Sequence, residues 1–447
     1  MKAIILLYLL GIFGLSAVGA AEPPDEEKLK EQKASAKALV EALAKEDFKA
    51  AGKDFDDAMK KALPVDKLES TWKTITGQVG AFKKVTGFRV ESAAKLDFVY
   101  VVCQFEKIDV DVKVVFNADK QITGLFFQPS KPKFDYKPPG YAKQDSFKES
   151  EVTVGEGEWS LPATLTVPKG DGPFPAVVLV QGSGPHDRDE TVGPNKPFRD
   201  LAWGLASQGI ASLRYEKRTR EYGAKMAALK DITPKEEVVD DALAAATLLR
   251  KNKVIDGKKV FILGHSLGAS MAPRIAQGDG ELAGLILLAG TTRPLEDVIV
   301  EQISYIISLN DPITDKQREE LEKIKKQAAR VKDPKLSPDT PAVDLPLGVP
   351  ASYWLALRDY DPTATAAKLK RPMLILQGER DYQVTMADFE GWKKALGTQR
   401  GARLKTYPKL NHLFMEGEGK AIPAEYDRAG HVAVDVVDDI AEWVKKQ

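Results

Sequence analysis

Hydrophobic spacing changes character along the chain, and each change predicts a different kind of element. Ala36, Val40 and Leu43 share one face of a helical period, and a second such pattern runs through Phe55, Met59 and Leu63 until Pro64 interrupts it. Leu68 to Val79 predicts a further helix. The period then shortens to two. Phe98 to Phe105, Val110 to Phe116 and Ile122 to Phe127 predict antiparallel strands, the second alternating cleanly. Helices followed by a meander make a small α+β unit over 34–128. The proline-rich stretch 129–146, with Pro129, Pro132, Pro138 and Pro139, predicts a linker.

From residue 147 onward strand and helix signals alternate. Strands are expected at Ala163 to Val167, Ala176 to Val180 and Ala211 to Tyr215, with helices at Phe198 to Gln208 and Pro234 to Asn252. Two further apolar runs lie at Leu285 to Ala289 and Met373 to Gln377. Such alternation predicts an α/β fold for 147–447, with a mostly parallel sheet covered on both faces. The roughly eighty residues between the last two strands are largely helical in pattern, too long for a connection, and predict a cap over about 290–370.

With 447 residues the chain is comfortable for two or three folding units. Lys plus Arg equals Asp plus Glu at 65 each, so no charge bias points to nucleic acid. At the N-terminus, Met1-Lys2 precedes an apolar stretch to Leu15, small residues Ser16 to Ala21 and the polar switch Glu22-Pro-Pro-Asp25. This predicts a secretory signal over 1–21, cleaved near Ala20 or Ala21, a secreted or periplasmic protein, and no membrane span once it is removed. The single cysteine, Cys103, offers neither a lipidation site near the leader nor an intrachain disulfide.

The chemistry centres on Lys259-Val-Phe-Ile-Leu-Gly-His-Ser-Leu-Gly268, a buried strand running into G-x-S-x-G and then a helix from Leu267. A serine at such a strand-to-helix turn is presented as a nucleophile, with glycines on both sides allowing close backbone approach. Ser266 then needs a base, and the base a group that fixes its tautomer. Among four histidines His412 is the candidate, because it lies in a loop after the strand-like Ala402 to Tyr407. His265 is expected to pack away from the serine hydroxyl, and His431 is read as structural. The acid belongs at a strand end between serine and histidine, which selects Asp381 after Met373 to Gln377, with Glu379 as the fallback and Asp388 as a solvated helix residue. Two backbone donors should face the oxyanion: the Leu267 amide, and the amide of Gly182 or Ser183 in Gln181-Gly-Ser-Gly-Pro185. His186 follows that loop and either contacts substrate or ties the loop down.

Residues 34–128 resemble the DUF3887 domain, itself similar to the NTF2-like cone, which precedes α/β-hydrolases in bacterial secreted esterases. Residues 147–447 resemble the α/β-hydrolase superfamily in its serine aminopeptidase-like branch. The matching stretches are Gln181-Gly-Ser-Gly-Pro-His-Asp-Arg-Asp-Glu190, Arg214-Tyr-Glu-Lys-Arg218, Gly264-His-Ser-Leu-Gly268 and Gly378-Glu-Arg-Asp381. A departure is Thr219-Arg220, where a glycine usually follows the basic pair. The resemblance implies a carboxylesterase acting on small to medium acyl esters through an acyl-enzyme; the sequence shows neither a metal-ligand cluster nor a phosphate loop, so no cofactor and no metal are expected. Cap residues Ile303, Tyr305, Ile306, Leu309, Tyr353 and Trp354 are then candidates for an acyl pocket or for cap packing. The alternatives are a serine peptidase of the same triad, with Glu301 or Asp344 gripping a substrate ammonium, and a noncatalytic ligand-binding protein.

Overall fold

The computed structural model describes residues 26–93, 96–130, 135–229 and 231–447, so the leader expected over 1–21 lies outside the described residues. Two compact units form: the smaller takes in the described residues up to 130 together with Tyr222–Lys225, and the larger the remaining described residues.

In the smaller unit, helix Glu26–Ala44 buries Ala36, Val40 and Leu43 as its period demands. Asp56 accepts from the Met59 amide at 2.7 Å and so starts helix Asp57–Ala62. Pro64 ends that segment and caps the next helix, Val65–Val79. The sheet is a four-stranded antiparallel meander, β1 (Phe82–Ala93), β2 (Leu96–Phe105), β3 (Asp109–Phe116) and β4 (Ile122–Pro129), in chain order. Strand β1 was not expected from the sequence: its pairing with β2 is broken by register shifts at Phe82/Lys84 and Val85/Gly87, which spoil the alternation. Val99, Val101, Cys103, Val112, Val114 and Phe116 meet the helices in one core with Trp72.

The larger unit is an eight-stranded sheet of β5 (Phe147–Val154), β6 (Leu161–Pro168), β7 (Phe174–Val180), β8 (Ala211–Tyr215), β9 (Ile255–His265), β10 (Gly284–Leu288), β11 (Met373–Gly378) and β12 (Ala402–Tyr407). Its order is β12-β11-β10-β9-β7-β8-β6-β5. Strands β7 to β12 run parallel, and β6 pairs antiparallel with both β8 and β5. Helices Pro197–Ala206 and Val434–Lys445 cover one face through Leu201, Leu205, Val437 and Ile440. Helices Asp240–Lys251 and Leu267–Gly278 pack on the sheet as well, and the α/β-hydrolase architecture is met. After β7 the chain steps outward to β8 and then crosses back to β9 on the far side of β7. That crossing leaves a crevice at the carboxyl ends of β7 and β9, where ligands of open α/β sheets bind.

Between β10 and β11 the chain forms helices Leu295–Ser308, Asp315–Lys332, Ala351–Arg358 and Pro362–Lys368. A capping box between Thr314 and Gln317 starts the second of them. Ile303, Ile307, Ile324, Val331, Leu345 and Trp354 give this segment an apolar cluster of its own.

Candidate active site

Ser266 stands in the turn between β9 and helix Leu267–Gly278, at φ 54° and ψ −116°. A non-glycine residue there costs about 1–3 kcal/mol and persists only where its surroundings hold it. They do: the Ser266 amide donates to Leu288 O at 2.9 Å, across from β10. Glycine is required on both sides of the turn. A Cβ on Gly264 would sit 2.2 Å from the Gly268 backbone, and one on Gly268 would sit 2.2 Å from Val180 O. Leu267, as the first helical residue, has an amide with no intrahelical acceptor.

The acid and base candidates come from neighbouring strands. Asp381 follows β11 and His412 follows β12, and Asp381 Oδ2 lies 2.7 Å from His412 Nδ1. The other carboxylate oxygen accepts from the amides of Gln383 at 2.8 Å and Val384 at 3.0 Å, which pins the acid. Asn411 Oδ1 accepts from the Leu413 and Met415 amides at 3.1 and 3.2 Å, and so shapes the turn that carries His412. Among the described residues no hydrogen bond joins the Ser266 hydroxyl to His412; such bonds commonly close only when substrate engages. Two other contacts bring the serine and the ring together. The His265 ring, one residue before the serine, lies 4.6 Å from that of His412, and His265 Nε2 donates to His412 O at 2.9 Å. Glu379, the fallback acid, is exposed and accepts from the Thr406 hydroxyl instead.

The loop after β7 corrects one expectation. The Gly182 amide donates to Glu190 Oε1 at 2.6 Å, so it is already engaged by a buried carboxylate, and Ser183 is left as the second oxyanion donor candidate. Gly182 packs beside the elbow, since a Cβ there would meet Ser266 Cβ at 3.0 Å. Glu190 itself has φ 52°, and its Oε2 lies 3.0 Å from His265 Nδ1. His265 is therefore no mere packing residue. Burial disfavours its charged form, but the Glu190 carboxylate outweighs this and holds the imidazole above its ordinary value. His186 points its Nε2 at Ser183 O, 2.7 Å away, and burial lowers its pKa. The structure thus ties that ring to the loop. Ala289, just past β10, and Phe414, two residues after His412, are also non-glycine residues at positive φ, 50° and 57°.

Two other expectations change. Asp388 is buried, not solvated: it accepts from the Thr291 hydroxyl at 2.9 Å and the Thr292 amide at 2.8 Å, and pairs with Arg293 at 2.7 Å. Tyr353 and Trp354 belong to the apolar cluster of the cap, with the Trp354 indole on Val349 O at 3.2 Å, so they do not line an open pocket. The cap residues near the site are instead Tyr305 and Ile306, which pack on Tyr382, Leu413, Met415 and Tyr426. Tyr305 stacks on Tyr382 with centroids 5.0 Å apart, and Tyr382 and Leu413 directly follow the acid and base candidates. His431 meets Asp200 at 3.1 Å, away from these groups, as a structural residue would.

Comparison with known proteins adds independent weight to the fold and the family. Residues 36–125 match the family described as a protein of unknown function, DUF3887, and residues 195–419 match the family described as serine aminopeptidase, S33. Ser266, Asp381 and His412 all fall inside the second match. The chain is 38% identical over 408 residues to Esterase EstD of Thermotoga maritima, covering 91% of this chain and 94% of that one. Among solved structures, an esterase of Pyrococcus furiosus is 13% identical with a TM-score of 0.44, covering 71% of this chain and 98% of that one. A Pyrobaculum calidifontis esterase is 17% identical with a TM-score of 0.41, covering 67% and 85%. At those scores the two structures say nothing about activity. The match over 195–419 and the length of the shared sequence with Esterase EstD are sufficient by themselves: the chain belongs to the serine aminopeptidase S33 family of α/β-hydrolases, preceded by a DUF3887 domain.

Proposed function

We propose that the protein is a serine carboxylesterase cleaving small to medium acyl esters through Ser266, His412 and Asp381. The observation that carries this reading is the strained Ser266 turn standing beside a buried Asp381–His412 pair at 2.7 Å. In the proposed reaction His412 Nε2 takes the Ser266 proton as the hydroxyl oxygen attacks the ester carbonyl carbon. The tetrahedral oxyanion is held by the Leu267 and Ser183 amides. Its collapse expels the alcohol, which leaves with the proton from His412. Water then repeats the sequence on the acyl-enzyme, restoring Ser266. Asp381 keeps the proton on Nδ1, so that Nε2 remains the basic nitrogen, and stabilises the imidazolium when it forms. Tyr305 and Ile306, partly buried where they pack on Tyr382 and Leu413, offer an apolar surface for the acyl or alcohol group.

Ester chemistry is favoured over peptide chemistry by the relative of that name and by the state of the carboxylates an aminopeptidase would need. Glu301 is already paired with Arg293 at 2.5 Å, and Asp344 is exposed in a short turn of the cap. A p-nitrophenyl ester series assayed beside aminoacyl anilides tests the choice. Ester turnover with little anilide cleavage is expected; preferential anilide cleavage would replace this reading by the peptidase one. We also propose export, with the mature chain beginning near Ala21 or Glu22 on the evidence of the apolar run to Leu15 and the small residues after it. N-terminal sequencing of exported material checks this, and Met1 at its start would refute it.

A further inference from the structure

Gly182 carries a buried charged side chain on each of its backbone groups. Its amide donates to Glu190, and its carbonyl oxygen accepts from Lys217 Nζ at 2.6 Å. Lys217 lies two residues past β8 and is 2% exposed. Its ammonium also meets Glu237 Oε1 at 2.6 Å, and burial together with the same carboxylate raises the pKa of the Tyr353 phenol of the cap. Burying an ammonium is unfavourable unless it is paired and hydrogen-bonded, and an apolar side chain of similar length would fill the space more cheaply. The lysine therefore calls for a role, and its contacts converge on one peptide group.

The carbonyl of Gly182 and the amide of Ser183 belong to a single planar trans unit, in which C=O and N–H point in opposite directions. Holding the oxygen on Lys217 thus sets the direction of the Ser183 amide. A cation on that oxygen also draws electron density from the unit and makes its N–H a stronger donor. Glu190 acts on the preceding peptide, keeping the Gly182 amide turned to itself. We propose that Lys217 is a positioning residue of the oxyanion hole, orienting and polarising the Gly182–Ser183 peptide so that the Ser183 amide serves as the second donor; this rests on the serine-hydrolase reading above. Glu237 holds the ammonium from its other side.

Lys217→Met should lower kcat for a p-nitrophenyl ester about ten- to a hundredfold, less than deleting a donor outright, with KM little changed. Because this change strands Glu237, the charge-matched variant combining Lys217→Met with Glu237→Gln is measured beside it, each with its melting curve. A second readout separates positioning from general damage. A trifluoromethyl ketone takes the Ser266 oxygen onto its carbonyl carbon, the serine proton passing to His412, and its adduct carries the oxyanion. Affinity for that ketone should fall in proportion to kcat. A folded double variant with wild-type kcat, or one that loses kcat while ketone affinity is unchanged, overturns the proposal. Ser266→Ala made alongside distinguishes the two levels of argument: if it is inactive, those outcomes remove only the role of Lys217. If Ser266→Ala keeps its activity, the hydrolase reading fails and the proposal fails with it.

Discussion

Ser266→Ala should abolish ester hydrolysis, with a loss on the order of a millionfold in kcat, as expected when the nucleophile of an interdependent triad is removed. The fold should survive, because the turn is held by the Ser266 amide on Leu288 O and by the close approach of Gly264 and Gly268, neither of which involves the hydroxyl. Near-ultraviolet circular dichroism and the melting curve check the second half of the claim. Activity of the wild-type order in a preparation free of host esterases would sink the mechanism.

The second large effect discriminates between two histidines. His412→Ala should cost about as much as loss of the serine, since the two act as one unit. His186→Ala should cost less than about a hundredfold, the low end of what a general base contributes. The reason is geometric. His412 has its Nδ1 fixed by an acid that two backbone amides hold in turn, which leaves Nε2 as the free basic nitrogen. His186 has its Nε2 committed to Ser183 O, and its value as a residue lies in shaping the loop. Burst kinetics on one ester at one pH compare the two variants directly, and the reverse order of effects would exchange their roles.

Much of this arrangement is legible in the sequence because the site is built at strand ends. An apolar run followed by Gly-x-Ser-x-Gly marks a strand turning sharply into a helix, Asp381 follows the apolar run Met373 to Gln377, and His412 follows the strand-like Ala402 to Tyr407. Burial of charge is a different matter. Glu190 closes a run that also contains Asp187, Arg188 and Asp189, and nothing in the spacing distinguishes the one that turns inward onto Gly182 and His265. Lys217 lies likewise among Arg214, Glu216 and Arg218. Asp388 was misread because it occupies a helix whose surroundings are decided by Thr291, Thr292 and Arg293, nearly a hundred residues earlier. Strand β5 is hidden for a related reason: as the edge of the sheet it exposes Lys148, Glu149, Ser150 and Glu151, so it has no apolar signature.

Seven non-glycine residues adopt positive φ among the described residues, and four of them, Glu190, Ser266, Ala289 and Phe414, border the site. Glycine at any of the four would relax the backbone. At the small residues Ser266 and Ala289 a selection for heat resistance alone would therefore favour glycine, at the expense of the turn; at Glu190 and Phe414 it would not, because glycine would strand the Gly182 amide in the first case and empty a buried aromatic from the sheet core in the second. The working enzyme is in this sense a compromise that only a screen on activity preserves. The other three, Glu46 and Lys120 in the smaller unit and Leu347 in the cap, lie outside the turn, and glycine there is the better place to seek stability.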